Sequence, residues 1–283
     1  MNRQKSFQNE QGVALYLVPT PIGNRNEISK RVLDTLNLVD VIACEDTRNS
    51  GQLLKTLDIH KPLIAHHEYN TQQSIPGILK LLDQGKKIAI ISDAGYPLIS
   101  DPGSGLVQAV IEQDIPVISL SGPNAALNAL VASGLSTQHY LYYGFLDAKS
   151  TKRKKELFAL KDFPYTMIFY EAPHRIEATL SDVLEVFGNR KIVLARELTK
   201  IHEEYIRGSV QEVLEICGEL KGEMVVVIEG NTTSETQSLE EIVTKALELV
   251  QEGMKPKQAA GQACQNSAYS KNEVYQEMLK AKQ

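Results

Sequence analysis

Short apolar runs alternate with amphipathic stretches of helical length through the first part of the chain. Residues 14–19, 41–44, 62–66, 88–92 and 117–120 read as strands, and helical periodicity follows Asn26, Thr47, Thr71 and Gly103. Apolar strands separated by single helices close most simply as a parallel sheet with helices on its faces. Near residues 121–134 the pattern changes. Strand candidates at 140–143, 165–170, 192–195, 203–207 and 224–229 no longer alternate so simply with helices, which predicts a mixed sheet. The polar stretch 231–237 reads as a linker, and helical patterns occupy 238–252 and 256–264. A last helix opens at Ser270, whose hydroxyl can cap it while Glu273 reaches back. The expected fold is α/β: an N-terminal α/β domain over 1–122, a second α/β domain over 123–230, and a linker with a helical extension over 231–283.

The densest loop chemistry lies in SDAGYPLISDPG, residues 92–103, between an apolar strand and a helical pattern. Such a loop at the carboxyl end of a strand is where α/β proteins place ligand contacts. It holds neither Gly-x-Gly-x-x-Gly nor Gly-x4-Gly-Lys-Ser/Thr, and Asp93 and Asp101 oppose a phosphate over the following helix. A pyrophosphate ligand is therefore disfavoured, whereas ionised carboxylates suit an amine, ribose hydroxyls or a cation. The same two acids also fit a plainer role, forming turns and capping the next helix. Three further loops leave strands in the same way. LVPTPIGN (17–24) is a stiff turn in which Gly23 lets backbone approach a ligand, CEDTR (44–48) gathers two acids and an arginine, and SGPNAALNAL (121–130) offers Ser121, Asn124 and free helix-start amides.

Composition narrows the partners. The 283 residues are 42% hydrophobic, enough for one large core or two smaller ones, and a net charge of -5 excludes a uniformly basic nucleic-acid surface. Cys44, Cys217 and Cys264 are widely spaced with no Cys-x-x-Cys pair, which predicts a reducing compartment and no zinc site. Adjacent His66 and His67 would point to opposite faces of a strand, so no metal site is expected there either. With polar first residues and no run long enough to span a membrane, the expectation is a soluble cytoplasmic protein. Against the negative total, Lys149, Lys152, Arg153, Lys154 and Lys155 stand out as a phosphate-binding patch, although a charge run also fits a solvated helix face.

Seven segments in this order and spacing carry a resemblance: LVPTPIGN, CEDTR, SDAGYPLISDPG, SGPNA, FYEAPHRI (169–176), ARELTK (195–200) and KGEMVVVIEG (221–230). Together they closely resemble the ribosomal RNA small subunit methyltransferase I family of the tetrapyrrole methylase superfamily, over about residues 13–230. The resemblance implies two α/β domains of the class III methyltransferase type, S-adenosylmethionine bound between them, and a homodimer. It further implies 2'-O-methylation of a cytidine ribose in the decoding region of 16S rRNA, presented as RNA or as an assembled subunit. Carried over by position, Ile22, Gly23, Asp93, Gly95, Tyr96, Ser121, Asn124, Ala125 and Tyr170 line the cofactor cleft. The chain departs from the family pattern at Tyr96, where a smaller residue such as Thr is common, and at Ser121 and Asp147, where Pro is common. A donor cationic at sulfur and lacking phosphate agrees with the acidic loop.

In-line attack of a ribose hydroxyl on a sulfonium methyl needs positioning, and a base or cation to help the hydroxyl lose its proton. Asp46, Glu197 and Lys200 are the candidates; a cationic donor nearby would favour the neutral form of Lys200 as a base, or Lys200, still protonated, would be an electrostatic partner of the developing alkoxide. Arg48, Arg175 and Arg196, with the 149–155 patch, are placed to hold phosphates or orient the acids. Arg196 and Glu197 also read as a structural ion pair beside a strand end. Two other functions remain compatible with these residues: methylation of a small tetrapyrrole or corrin carbon without RNA, and a non-catalytic RNA-binding assembly factor using the terminal helices.

Overall fold

The alternation in the first part of the chain folds as five parallel strands in order β3-β2-β4-β1-β5. The computed structural model describes residues 3–6, 12–231, 238–264, 267 and 269–281. The strands are β1 (Leu15–Leu17), β2 (Val41–Cys44), β3 (Leu63–Ala65), β4 (Ile88–Ile91) and β5 (Val117–Ser119). Between them run α1 (Lys30–Leu38), α2 (Thr47–Thr56), α3 (Thr71–Asp83) and α4 (Ser104–Glu112). Successive side chains of a strand face opposite ways. Tyr16, Ala89 and Ile91 accordingly join Val32 and Leu36 of α1 and Leu54 of α2 in one core, while Leu15, Ile88 and Ile90 join Ile78 and Leu82 of α3 and Leu106 of α4 in another. Both faces are covered, which is why β4 is apolar at every position.

Helix α5 (Ala125–Ser133) leads into a mixed sheet of order β6-β7-β10-β8-β9, as the irregular spacing predicts. Its strands are β6 (Tyr140–Phe145), β7 (Thr166–Glu171), β8 (Lys191–Arg196), β9 (Glu204–Ser209) and β10 (Met224–Ile228). Only β6 and β7 run parallel; β10 is antiparallel to both β7 and β8, and β8 to β9. Ala126, Ala129 and Leu130 of α5 pack on Ile168, Val193, Val225 and Val227 of this sheet. The connecting helices are α6 (Ser150–Leu160), α7 (Ile176–Phe187) and α8 (Val210–Cys217). In β6 a bulge between Tyr142 and Gly144 adds one residue to the pairing with β7.

Both sheets belong to one compact unit, residues 1–161 and 165–229; a second unit comprises 162–164 and 230–283. The latter holds α9 (Leu239–Gln251), α10 (Pro256–Ala263) and α11 (Lys271–Lys280), with its own core of Ile242, Ala246, Ala260, Val274 and Met278. The expected box of Ser270 with Glu273 opens α11, and Ser238 with Glu241 does the same for α9. Most of the expected linker, 232–237, lies outside the described residues. Among the described residues no helix is long and apolar enough to cross a membrane.

One close approach fixes the loops that follow β1 and β5. A Cβ built on Gly122 would lie 2.3 Å from Pro19 Cγ and 2.9 Å from Pro19 Cβ. Since the pyrrolidine ring has little freedom to move aside, Gly122→Ala should cost about 1–3 kcal/mol by overpacking. Urea denaturation checks this, and a change below about 0.5 kcal/mol would show that the two loops can separate without loss.

Candidate active site

Strand β1 lies between β4 and β5, so the crossover from β1 toward β2 and that from β4 toward β5 diverge. At such a switch point the carboxyl ends of the strands open into a crevice. Three loops meet there, and each is tied to its neighbour. The Thr20 amide donates to Gly95 O at 2.9 Å, and the Gly95 amide returns a bond to Thr20 O at 3.1 Å. Thr20 Oγ1 donates to Ser92 O at 3.0 Å, and the Gly122 amide donates to the Tyr96 hydroxyl at 2.9 Å. The 92–103 loop is bent to do this: Gly95, Leu98, Ser100 and Gly103 all have positive φ, at 79°, 73°, 63° and 133°. Ser100 then reaches the second sheet, its Oγ 2.6 Å from the Tyr142 hydroxyl.

These loops enclose a cavity of about 350 Å³. Seven of the nine residues expected at the cofactor line it: Ile22, Asp93, Gly95, Tyr96, Asn124, Ala125 and Tyr170. Gly23 and Ser121 fall outside the lining. Gly23 instead backs onto the 198–200 loop, where an added Cβ would meet Lys200 Cγ at 2.5 Å and Thr199 Oγ1 at 2.8 Å. Asn124 caps α5 by accepting from Leu127 N at 2.9 Å. Tyr96, whose hydroxyl is held by Gly122, also acts as a loop tie. From the second sheet come Phe145, Tyr170, Glu171 and Val225, with Tyr142 and Phe145 edge-on to Tyr170 at centroid distances of 5.1 and 5.6 Å. Burial raises the Tyr170 phenol above its ordinary pKa. These second-sheet residues carry no loop signature, so sequence reasoning reached only Tyr170 through its motif.

Asp101, recognised in the sequence as an acid of the loop but not placed at the cofactor, also lines the cavity. Burial pushes its carboxyl up to about 6, with the Glu45 and Asp93 charges adding to this and the Ser92 hydroxyl opposing it.

The acids and base expected beside it are arranged otherwise. Lys200 Nζ lies 3.0 Å from Glu197 Oε1 and 3.1 Å from Glu223 Oε2. Burial alone would favour the neutral amine, but the two carboxylates outweigh it and raise the ammonium above its usual pKa. Of the two forms expected for Lys200, the protonated one is favoured by these neighbours. Glu197 is held below its usual range by the Lys200 bond and by the Glu223 amide, and a Cβ on Gly222 would strike its carboxylate at 2.3 Å. Leu198, between Glu197 and Lys200 in sequence, does line the cavity. Arg196 bonds Glu204 and the Lys221 carbonyl rather than Glu197. Asp46 caps α2, accepting from Arg48 N at 2.7 Å and Asn49 N at 3.3 Å, and with exposed Arg48 it lines a separate open cleft that shares Asp93 with the cavity.

Comparison with known proteins places this geometry. Residues 14–214 match the family model described as Tetrapyrrole (Corrin/Porphyrin) Methylases. The chain belongs to the tetrapyrrole methylase family. A curated relative from Streptococcus pyogenes serotype M18 (strain MGAS8232), named Ribosomal RNA small subunit methyltransferase I, is 42% identical over 98% of this chain and 99% of its own. One of the same name from Bacillus subtilis (strain 168) is 43% identical over 97% of each chain. The solved uroporphyrin-III-C-methyltransferase of Thermus thermophilus shares the fold, with a TM-score of 0.56 at 19% identity over 77% of this chain and 94% of that one.

The methylase takes its methyl group from S-adenosylmethionine, and the cavity fits that donor. Asp93 and Asp101 line it, and among the described residues no Lys or Arg does, as suits a sulfonium and an ammonium without phosphate; Glu171 and Glu223 also reach it but are paired with Arg175 and Lys200. Ile22, Ala125, Leu198 and Val225 give the apolar wall. At Gly95 a Cβ would come 3.3 Å from Ile22 Cγ2, so this turn lets backbone close on the ligand.

The basic run of the methylase is less free than its sequence suggests. Arg153 is 3% exposed, its Nε donating to Asp182 at 2.7 Å and its Nη1 to the Asp147 and Ala148 carbonyls. It is therefore withdrawn from the phosphate patch. Lys154 pairs with Glu185 at 2.6 Å and Asp182 at 3.6 Å, and Lys152 lies 3.6 Å from Asp147, leaving exposed Lys149 and Lys155 without an ion-pair partner among the described residues. Arg175 is likewise turned inward, onto Glu171 at 3.1 Å and the Leu146 carbonyl at 2.7 Å.

Two stability measurements follow. Arg153→Met takes from buried Asp182 its shortest charged partner, leaving Ser150 Oγ at 3.0 Å and Lys154 at 3.6 Å, and should cost about 1.5–3 kcal/mol by denaturant titration, whereas Lys155→Ala should stay within about 0.5 kcal/mol of the parent. Equal effects would return Arg153 to the surface patch. Asp101 binds its proton more tightly folded than unfolded, so its contribution is greatest below its unfolded pKa near 4 and is lost as pH rises through about 6. Asp101→Asn should consequently raise the melting temperature at pH 7.5, with the gain fading toward pH 4; a pH-independent difference would contradict the burial of this carboxyl.

Proposed function

We propose that this methylase transfers the donor's methyl group to the 2'-hydroxyl of a cytidine ribose in the decoding region of small-subunit ribosomal RNA, acting in the cytoplasm as a homodimer. The observation that carries the reading is end-to-end likeness to relatives named for small-subunit ribosomal RNA, at 42% and 43% identity. Likeness to the uroporphyrin enzyme, at 19% identity, extends to the fold alone and gives a corrin substrate no support.

The bound donor supplies an electrophilic methyl carbon. The ribose oxygen approaches it in line, gaining the carbon as the sulfur–carbon bond breaks, and its proton must leave as this happens. Lys200 already carries its full complement of protons, and Glu197 is occupied by Lys200 and the Glu223 amide. Asp101 takes the proton in this reading. It lines the cavity, and a carboxyl tuned to about 6 is matched to proton acceptance near neutrality. Exposed Arg48, Lys149, Lys152 and Lys155 supply the phosphate contacts.

Labelled donor incubated with small subunits lacking the modification, followed by mapping, should put label on one ribose. Label on a base carbon, or none on RNA while a tetrapyrrole is methylated, would sink the reading. In single-turnover assays with saturating donor and subunits, which remove any change in donor affinity from the reading, Asp101→Asn should slow transfer by about 100-fold. A rate within a few-fold of the parent would remove Asp101 from proton acceptance.

A further inference from the structure

The open cleft beside the cavity is lined by Glu45, Asp46, Arg48, His67 and Tyr69, and shares Asp93 with it. Tyr69 is 94% exposed, its ring 6.3 Å from that of His67 and tilted by 55°. The turn that carries it is nonetheless well anchored. Asn70 Oδ1 accepts from the His67 amide at 2.8 Å, Asn70 Nδ2 donates to Ala65 O at 3.0 Å, and buried His66 lies 2.8 Å from Ser74 Oγ. A large flat ring is thus held out in water by a braced turn, a placement suited to stacking on a base.

The carboxylates in the cleft differ in what they have left to offer. Asp46 Oδ1 accepts from the first amides of α2, and Asp93 Oδ2 accepts from Asn49 Nδ2 at 2.9 Å. Glu45 is exposed and has no hydrogen-bond or ion-pair partner among the described residues. An ionised carboxylate only accepts, so it attracts the exocyclic amine of cytosine or adenine and repels the O4 carbonyl of uracil. Exposed Arg48, in the same cleft, suits a phosphate.

We infer that this cleft is the subsite for the target nucleotide, in which Tyr69 stacks on the base, Glu45 accepts from its exocyclic amine and Arg48 holds a phosphate, so that cytosine is chosen over uracil. The inference rests on the ribose-methylation reading above, because the shared Asp93 sets the nucleotide beside the donor cavity.

The chain contains no tryptophan, so Tyr69→Trp in the full-length protein gives a single indole reporter at the proposed stacking surface. With donor saturating, single-stranded RNA decamers of uridine carrying one central cytidine should quench its emission and bind at least about fivefold more tightly than all-uridine decamers. Glu45→Gln, added to the reporter, offers an amide N–H in place of a pure acceptor and should narrow or reverse that preference. Tyr69→Ala should lower kcat/KM for RNA about tenfold or more, with donor affinity unchanged and Tyr69→Phe close to parental. No quenching, equal affinity for the two decamers, or a preference indifferent to Glu45→Gln would overturn the subsite while leaving the methylation reading intact. Donor binding by the parent chain with no transfer to RNA would overturn both.

Discussion

Placing β1 between β4 and β5 is the constraint on which the site depends. Because the chain leaves β1 in one direction and crosses β4 to β5 in the other, three loops converge at the carboxyl ends of adjacent strands. The mutual amide bonds of Thr20 and Gly95 turn that convergence into a fixed floor. Leu98 and Ser100 can occupy the left-handed region only because their neighbours are so fastened. The second sheet need then contribute only one cross-strand row, Phe145, Tyr170 and Val225.

Charge is partitioned around this floor. Positive groups that sequence alone offers as ligands for RNA, namely Arg153, Arg175 and Arg196, are turned onto internal carboxylates and carbonyls. Lys200 is likewise taken up by Glu197 and Glu223. What remains toward the cavity is acceptor-rich, and what remains toward water includes Arg48, Lys149 and Lys155. A cationic donor and a polyanionic partner are therefore met by different surfaces of one chain.

The strands and their sheets were legible because burial on both faces leaves unbroken apolar runs such as 88–91, and because the motif loops fall at strand ends. The cavity was legible where a loop supplied it. Pairings across long stretches of chain were not. Nothing local to Arg153 signals Asp182, which reaches it from α7, and nothing local to Lys200 signals Glu223. Proton affinities were hidden for the same reason: the burial that raises Asp101 and the acids that raise Lys200 are properties of the assembled fold.

The bulge in β6 bears on how this cavity can vary in related chains. Tyr142 pairs with Ile168 and Phe145 with Tyr170, so two residues of odd separation face the same way, while Tyr143 turns to Phe169 on the other side. An extra residue has reversed the parity of the strand midway along its length. Counting alternate positions from Tyr140 would assign Phe145 to the wrong side. The bulge therefore takes up one residue of length: without Tyr143, Phe145 would stand two places beyond Tyr142, still opposite Tyr170 and on its face. At this point β6 can differ in length by one residue without moving the aromatic wall.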